Sequence, residues 1–116
     1  MKLKLKLGRD ADGRPKAEAE DGSPRGRLVA RFLQIDVVDD DHARALVEAA
    51  RRAARPSHRS SGNAYELAIG PRRTTITAQI EPRNGPASVA LTTPEFRALM
   101  TRWLAVLQDD ATRHRP

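Results

Sequence analysis

Charge and leucine alternate without a break from Lys2 to Leu7. This puts Leu3, Leu5 and Leu7 on one face of an extended strand, with Lys2, Lys4 and Lys6 on the other. Asp12-Gly13 then predicts a hairpin, returned by a polar edge strand from Arg14 to Glu20 that tolerates Pro15. Asp21 to Gly26 is turn chemistry. The most apolar run, Leu28 to Val38, carries large side chains at both parities: Leu28 and Phe32 on one, Val29, Leu33, Ile35 and Val37 on the other. It reads as a long central strand that twists or bulges near Gln34, so that each face meets the core in turn.

Asp39-Asp40-Asp41 supplies a cap and a negative first turn for a helix whose stripe is Ala43, Leu46, Val47, Ala50 and Ala53, stopped at Pro56. Ser57 to Gly62 reads as a polar connection. Tyr65, Leu67 and Ile69 alternate as a strand, Gly70 to Arg73 turns it, and Thr74, Ile76, Ala78 and Ile80 give its partner. After a turn over 82–86, Val89 and Leu91 mark a further strand. Thr92-Thr93-Pro94-Glu95 opens the last helix, as a Thr92–Glu95 capping box or with Thr93 as cap and Pro94 first. Phe96, Leu99, Met100, Trp103, Leu104 and Leu107 follow at helical spacing. The order predicts an α+β fold, an antiparallel sheet built as βββα-βββα with the helices packed on one face. One domain is expected over 1–108, with a frayed basic tail at 109–116.

Composition narrows the function classes. The chain has 116 residues, no cysteine and a mean hydropathy of −0.62, so neither disulfides nor thiol chemistry are available. No stretch approaches the ~20 apolar residues of a membrane helix, and the charged start lacks the apolar centre of a secretory signal. A cytoplasmic location is the expectation. The net charge of +6 favours an anionic partner: nucleic acid, an anionic surface or an acidic protein. The charge is spread along the chain, without the dense tract of a dedicated nucleic-acid arm.

Candidate chemistry is sparse. There is no glycine-rich phosphate loop, no HExxH and no Cys/His cluster, so no cofactor or metal is expected. Asp39, Asp40, Asp41 and His42 offer metal-ligating groups, yet consecutive residues at a helix start diverge, and capping accounts for the acids. His58 lies near Ser57, Ser60 and Ser61, but no acid stands nearby in sequence to orient the imidazole. Asp109 and Asp110 fall in the tail, where burial cannot raise a carboxyl pKa. No catalytic set is therefore expected. Arg51, Arg52, Arg55 and Arg59, with Arg72 and Arg73, form one anion- or partner-binding patch if the chain brings them together. Few aromatics remain for stacking on bases, which places nucleic acid behind protein as the partner.

Three segments carry a resemblance: GRLVARFLQIDVVDDDHARALVEAARRA, SSGNAYELAIGPRRTTITAQ and LTTPEFRALMTRWLAVL. Together they resemble the small bacterial YacL family and the immunity proteins of contact-dependent growth inhibition systems, over Met1 to Leu107. The most specific pieces are Gly62-Asn63-Ala64-Tyr65-Glu66-Leu67 and Thr92-Thr93-Pro94-Glu95-Phe96. The resemblance implies a non-enzymatic cytoplasmic protein that binds the C-terminal domain of a cognate toxin, often a nuclease, and blocks it. It transfers no functional residue. Immunity proteins against basic nucleases tend to be acidic, so a charge of +6 requires a toxin with an acidic surface, or a YacL-like relative with another role.

Overall fold

The computed structural model describes residues 4–52, 58–62, 64–79 and 87–113. The fold is α+β, with helices α1 (Pro24–Asp36), α2 (Asp40–Arg52) and α3 (Thr93–Arg113). Strands β1 (Leu5–Arg9) and β2 (Pro15–Ala19) pair as a hairpin. Strands β3 (His58–Ser61), β4 (Tyr65–Ile69), β5 (Arg73–Ala78) and β6 (Ser88–Thr92) form an antiparallel sheet in that order.

The βββα-βββα arrangement is not what forms. The order is ββαα followed by ββββα, split between a two-stranded and a four-stranded sheet. Two segments account for the difference. Leu28 to Val38 is not a central strand; its residues up to Asp36 belong to α1. Adjacent buried pairs, Leu28–Val29 and Phe32–Leu33, recur every four residues and end at Asp36, which is a helical stripe wide enough to fill both parities. Ile35, a core position in the strand reading, is 44% exposed. The supposed turn before it is the helix start: the Ser23 hydroxyl accepts the Gly26 N–H at 3.1 Å, and Pro24 opens the first turn. Gly26 is required there, because a Cβ would sit 2.7 Å from the Cβ of Ala19 on β2. The second segment is the expected polar connection, which carries β3, paired with β4 from His58↔Ile69 to Ser61↔Glu66.

Helix α3 continues to Arg113, into the stretch expected as a frayed tail. The remaining caps and turns among the described residues form where the sequence places them. Asp10 N–H bonds the Arg14 carbonyl across the β1–β2 turn. In the same turn, the main-chain N–H of Arg14 holds the Asp10 carboxyl below its ordinary range. Asp39 caps α2, its carboxylate accepting the His42 N–H at 2.7 Å. Helix α3 starts with a capping box: Thr92 Oγ1 accepts the Glu95 N–H, and Glu95 Oε1 accepts the Thr92 N–H, each at 3.2 Å. Lys2, Leu3, Ala53, Arg55, Pro56, Ser57, Ile80 and the turn over 82–86 lie outside the described residues.

The core lies between the helices and one face of the four-stranded sheet. Tyr65, Leu67, Ile69, Ile76, Val89 and Leu91 come from the sheet, and Val29, Phe32, Leu33, Leu46, Phe96, Met100 and Trp103 from the helices. The hairpin extends this core through Leu5 and Ala17.

Candidate functional site

The C-terminus of α1 is where sheet and helices are joined. Asp36 is buried, and its two carboxylate oxygens accept the N–H groups of Ala64 at 3.1 Å and Tyr65 at 3.0 Å. These donors sit at the β3–β4 turn, closed on its other side by Gly62 N–H to the Tyr65 carbonyl. A Cβ on Gly62 would come within 2.3 Å of Asp36 Oδ2, so this latch admits only glycine. One residue later the Val37 carbonyl accepts the Trp103 indole N–H at 2.7 Å, tying α3 to the same point. The Tyr65 ring packs edge-on against Phe32, with centroids 5.9 Å apart, and burial pushes its phenol pKa up. Arg31 partly opposes that rise and Asp36 adds to it.

A cavity of about 40 Å³ opens at this latch, lined by Asp36, His42, Ser60, Ser61 and Tyr65 among others. The fold thus brings His42 and two of the predicted serines to one buried carboxylate, which the sequence reading kept apart. The arrangement does not form an acid–base relay. Each Asp36 oxygen is taken by a main-chain donor, and no hydrogen bond runs from the His42 imidazole to a described residue. The carboxylate works as a structural anchor for the β3–β4 turn.

The outer face of the four-stranded sheet has a different character. Cross-strand register places Arg59, Ala68, Thr75 and Ala90 in one row, and Ser61, Glu66, Thr77 and Ser88 in the next. Arg73 and Thr92 form a third pair on this face. None of these side chains is buried, and a groove of about 540 Å³ runs across β3, β4 and β5 between them. Short hydroxyl and methyl side chains make its floor, so the groove is shallow and polar.

The six arginines of the predicted patch divide. Arg59 and Arg73 share the outer face, about 12 Å apart from the strand spacing and residue rise. Arg72 is exposed in the turn that leads to β5. Arg51 and Arg52 lie at the end of α2, each with its guanidinium 3.6 Å from Glu48 Oε2. Arg55 lies outside the described residues. The sequence showed which residues were charged, but the rows on the outer face follow from register, which no single strand carries. Asp36 was missed because the segment around it was read as a strand.

A second groove, of about 460 Å³, runs between Leu5, Leu91 and the first turns of α3 at Pro94, Ala98 and Leu99. It is the more apolar of the two, with Arg102 at its rim donating to the Leu5 carbonyl at 3.1 Å. Among the described residues no group of acids and histidines is placed to hold a metal ion, and no helix is long and apolar enough to cross a membrane. Comparison of the chain with family models, curated proteins and solved structures finds no match.

Proposed function

We propose that this chain is a cytoplasmic binding protein that acts by covering its partner, and that the partner is the C-terminal toxin domain of a contact-dependent growth inhibition system. The observation that supports this reading most is the open sheet face: four strands with one side filled by the core and the other shallow, polar and covered by no described element. Such a face suits a rigid docking surface, because its main chain is already fixed and little order is lost on binding. Arg72 and Arg73 at one end, with the net charge of +6, favour an acidic surface on the toxin domain. Occlusion needs no chemistry from the chain itself.

The test is a titration of the purified chain into the toxin domain encoded beside it, with toxin activity as readout. The expected result is a one-to-one complex that buries about 1,200–2,000 Å² and abolishes activity. Full toxin activity at saturating concentration, or a neighbouring gene without a toxin domain, contradicts the reading. A YacL-like protein associating with RNA, DNA or ribosomes is the second reading, favoured by the same arginines. It predicts retention on nucleic acid that falls steeply between about 50 and 200 mM salt.

A further inference from the structure

Among the described residues two sheets present four edge strands, and an uncapped edge is a template for another strand. Three of the four are capped by a helix side chain. On β1 the outward Leu5 carbonyl accepts from Arg102 of α3 at 3.1 Å. On β2 the outward Ala17 N–H donates to Gln34 of α1 at 2.6 Å. On β6 the outward Ala90 carbonyl accepts from Arg25 of α1 at 3.0 Å, and the Thr92 N–H is taken by Glu95.

Strand β3 is the exception. The bond from Gly62 N–H to the Tyr65 carbonyl fixes the ladder phase, so Ser60 and His58 face β4 while Arg59 and Ser61 turn their main-chain groups outward. No described residue bonds the outward N–H or C=O of Arg59 or Ser61. Both residues are exposed, and the described part of the strand has no proline or lysine to block pairing. Nor does any described residue form a salt bridge with Arg59, or with Glu66 on the same sheet face.

We propose that the β3 edge docks a second copy of this chain, the two β3 strands pairing antiparallel about a two-fold axis at Ser60. Only this register sets both outward residues against each other, Arg59 opposite Ser61 and Ser61 opposite Arg59. Moving the axis to Arg59 would face two arginines. The axis at Ser60 also extends the cross-strand row: beyond Ser61 of the partner subunit lies Glu66 of the partner subunit, because Ser61 pairs with Glu66 within each chain. Two strand spacings, about 9.6 Å, separate Arg59 from that carboxylate's Cα, a span that an arginine and a glutamate bridge together. Two charges with no salt-bridge partner among the described residues thus complement each other across the axis. The two outer faces join into one continuous face of twice the width, with Arg72 and Arg73 left free for another partner. The inference stands apart from the toxin reading and concerns the chain alone.

Sedimentation equilibrium over a concentration series measures it, with circular dichroism melting as the check on folding. The wild-type chain should show a monomer–dimer equilibrium. Ser61→Pro removes an outward N–H without touching the β3–β4 ladder, and should leave monomer only. Arg59→Glu and Glu66→Arg, both at exposed sites, should each weaken the dimer by about tenfold or more by setting like charges together. The double variant Arg59→Glu/Glu66→Arg should restore it to near wild type. A chain that stays monomeric up to about 1 mM, where dimers of that dissociation constant become half-formed, overturns the proposal. So does a dimer that survives Ser61→Pro, or one that the double variant fails to restore.

Discussion

The two sides of the four-stranded sheet follow opposite rules. On the inner side polar groups are few and matched: Asp36 holds two main-chain donors, Trp103 reaches Val37, and the Thr74 and Thr93 hydroxyls meet at 3.1 Å. On the outer side Arg59, Glu66 and Arg73 stand in solvent over a floor of serine, threonine and alanine. Burial explains the difference. An unmatched polar group costs about 1–3 kcal/mol inside and almost nothing where water can replace the partner. The inner side is therefore constrained by folding, while the outer side is free to be shaped by what binds it.

The sharpest way to break this contrast is at the latch. Gly62→Ala forces a methyl into the Asp36 carboxylate and should lower stability by about 3 kcal/mol in urea denaturation. Asp36→Ala leaves two N–H groups without an acceptor and should cost a similar amount, about 3 kcal/mol. Because both variants break one interaction, the double variant should lose much less than the sum. Additive losses would show that the latch is not a unit.

Trp103→Phe keeps a ring in the core but strands the Val37 carbonyl, and should cost about 1–3 kcal/mol by the same assay. The Tyr65 phenol offers a smaller probe. It belongs to the only tyrosine, so alkaline absorbance reports it directly. Burial raises its pKa, so the fold favours the neutral phenol. That contribution is complete below the unfolded value of about 10 and is lost as pH rises through the folded one. Stability should therefore decline in alkaline solution, and Tyr65→Phe should flatten the decline. At the other extreme, Arg72→Glu with Arg73→Glu should change stability by less than about 0.5 kcal/mol, as exposed substitutions do.

Much of the inner side was legible from the sequence. Tyr65, Leu67 and Ile69 alternate because one sheet face is buried, and Phe96 to Leu107 keeps helical spacing because α3 buries one stripe. Thr92-Thr93-Pro94-Glu95 marked the helix start through residue type but left two caps open, of which the Thr92–Glu95 box forms. The failure at Leu28–Asp36 arose because a wide helical stripe with β-branched and aromatic residues matches a buried strand over a short run. Strand β3 was missed for the opposite reason. His-Arg-Ser-Ser has no apolar alternation, and its place is set by hydrogen bonds to β4. The outer face escaped entirely, since its rows exist only once register is fixed.

The outer side of the sheet is proposed as a docking surface and not a passive one. That role is tested most directly by affinity capture from the native cell with two baits: the wild-type chain and the Arg72→Glu/Arg73→Glu variant. Wild type should retain a protein with an acidic surface, and the variant, melting at the same temperature, should lose it. Equal retention by both baits, or capture of nucleic acid alone, would contradict it.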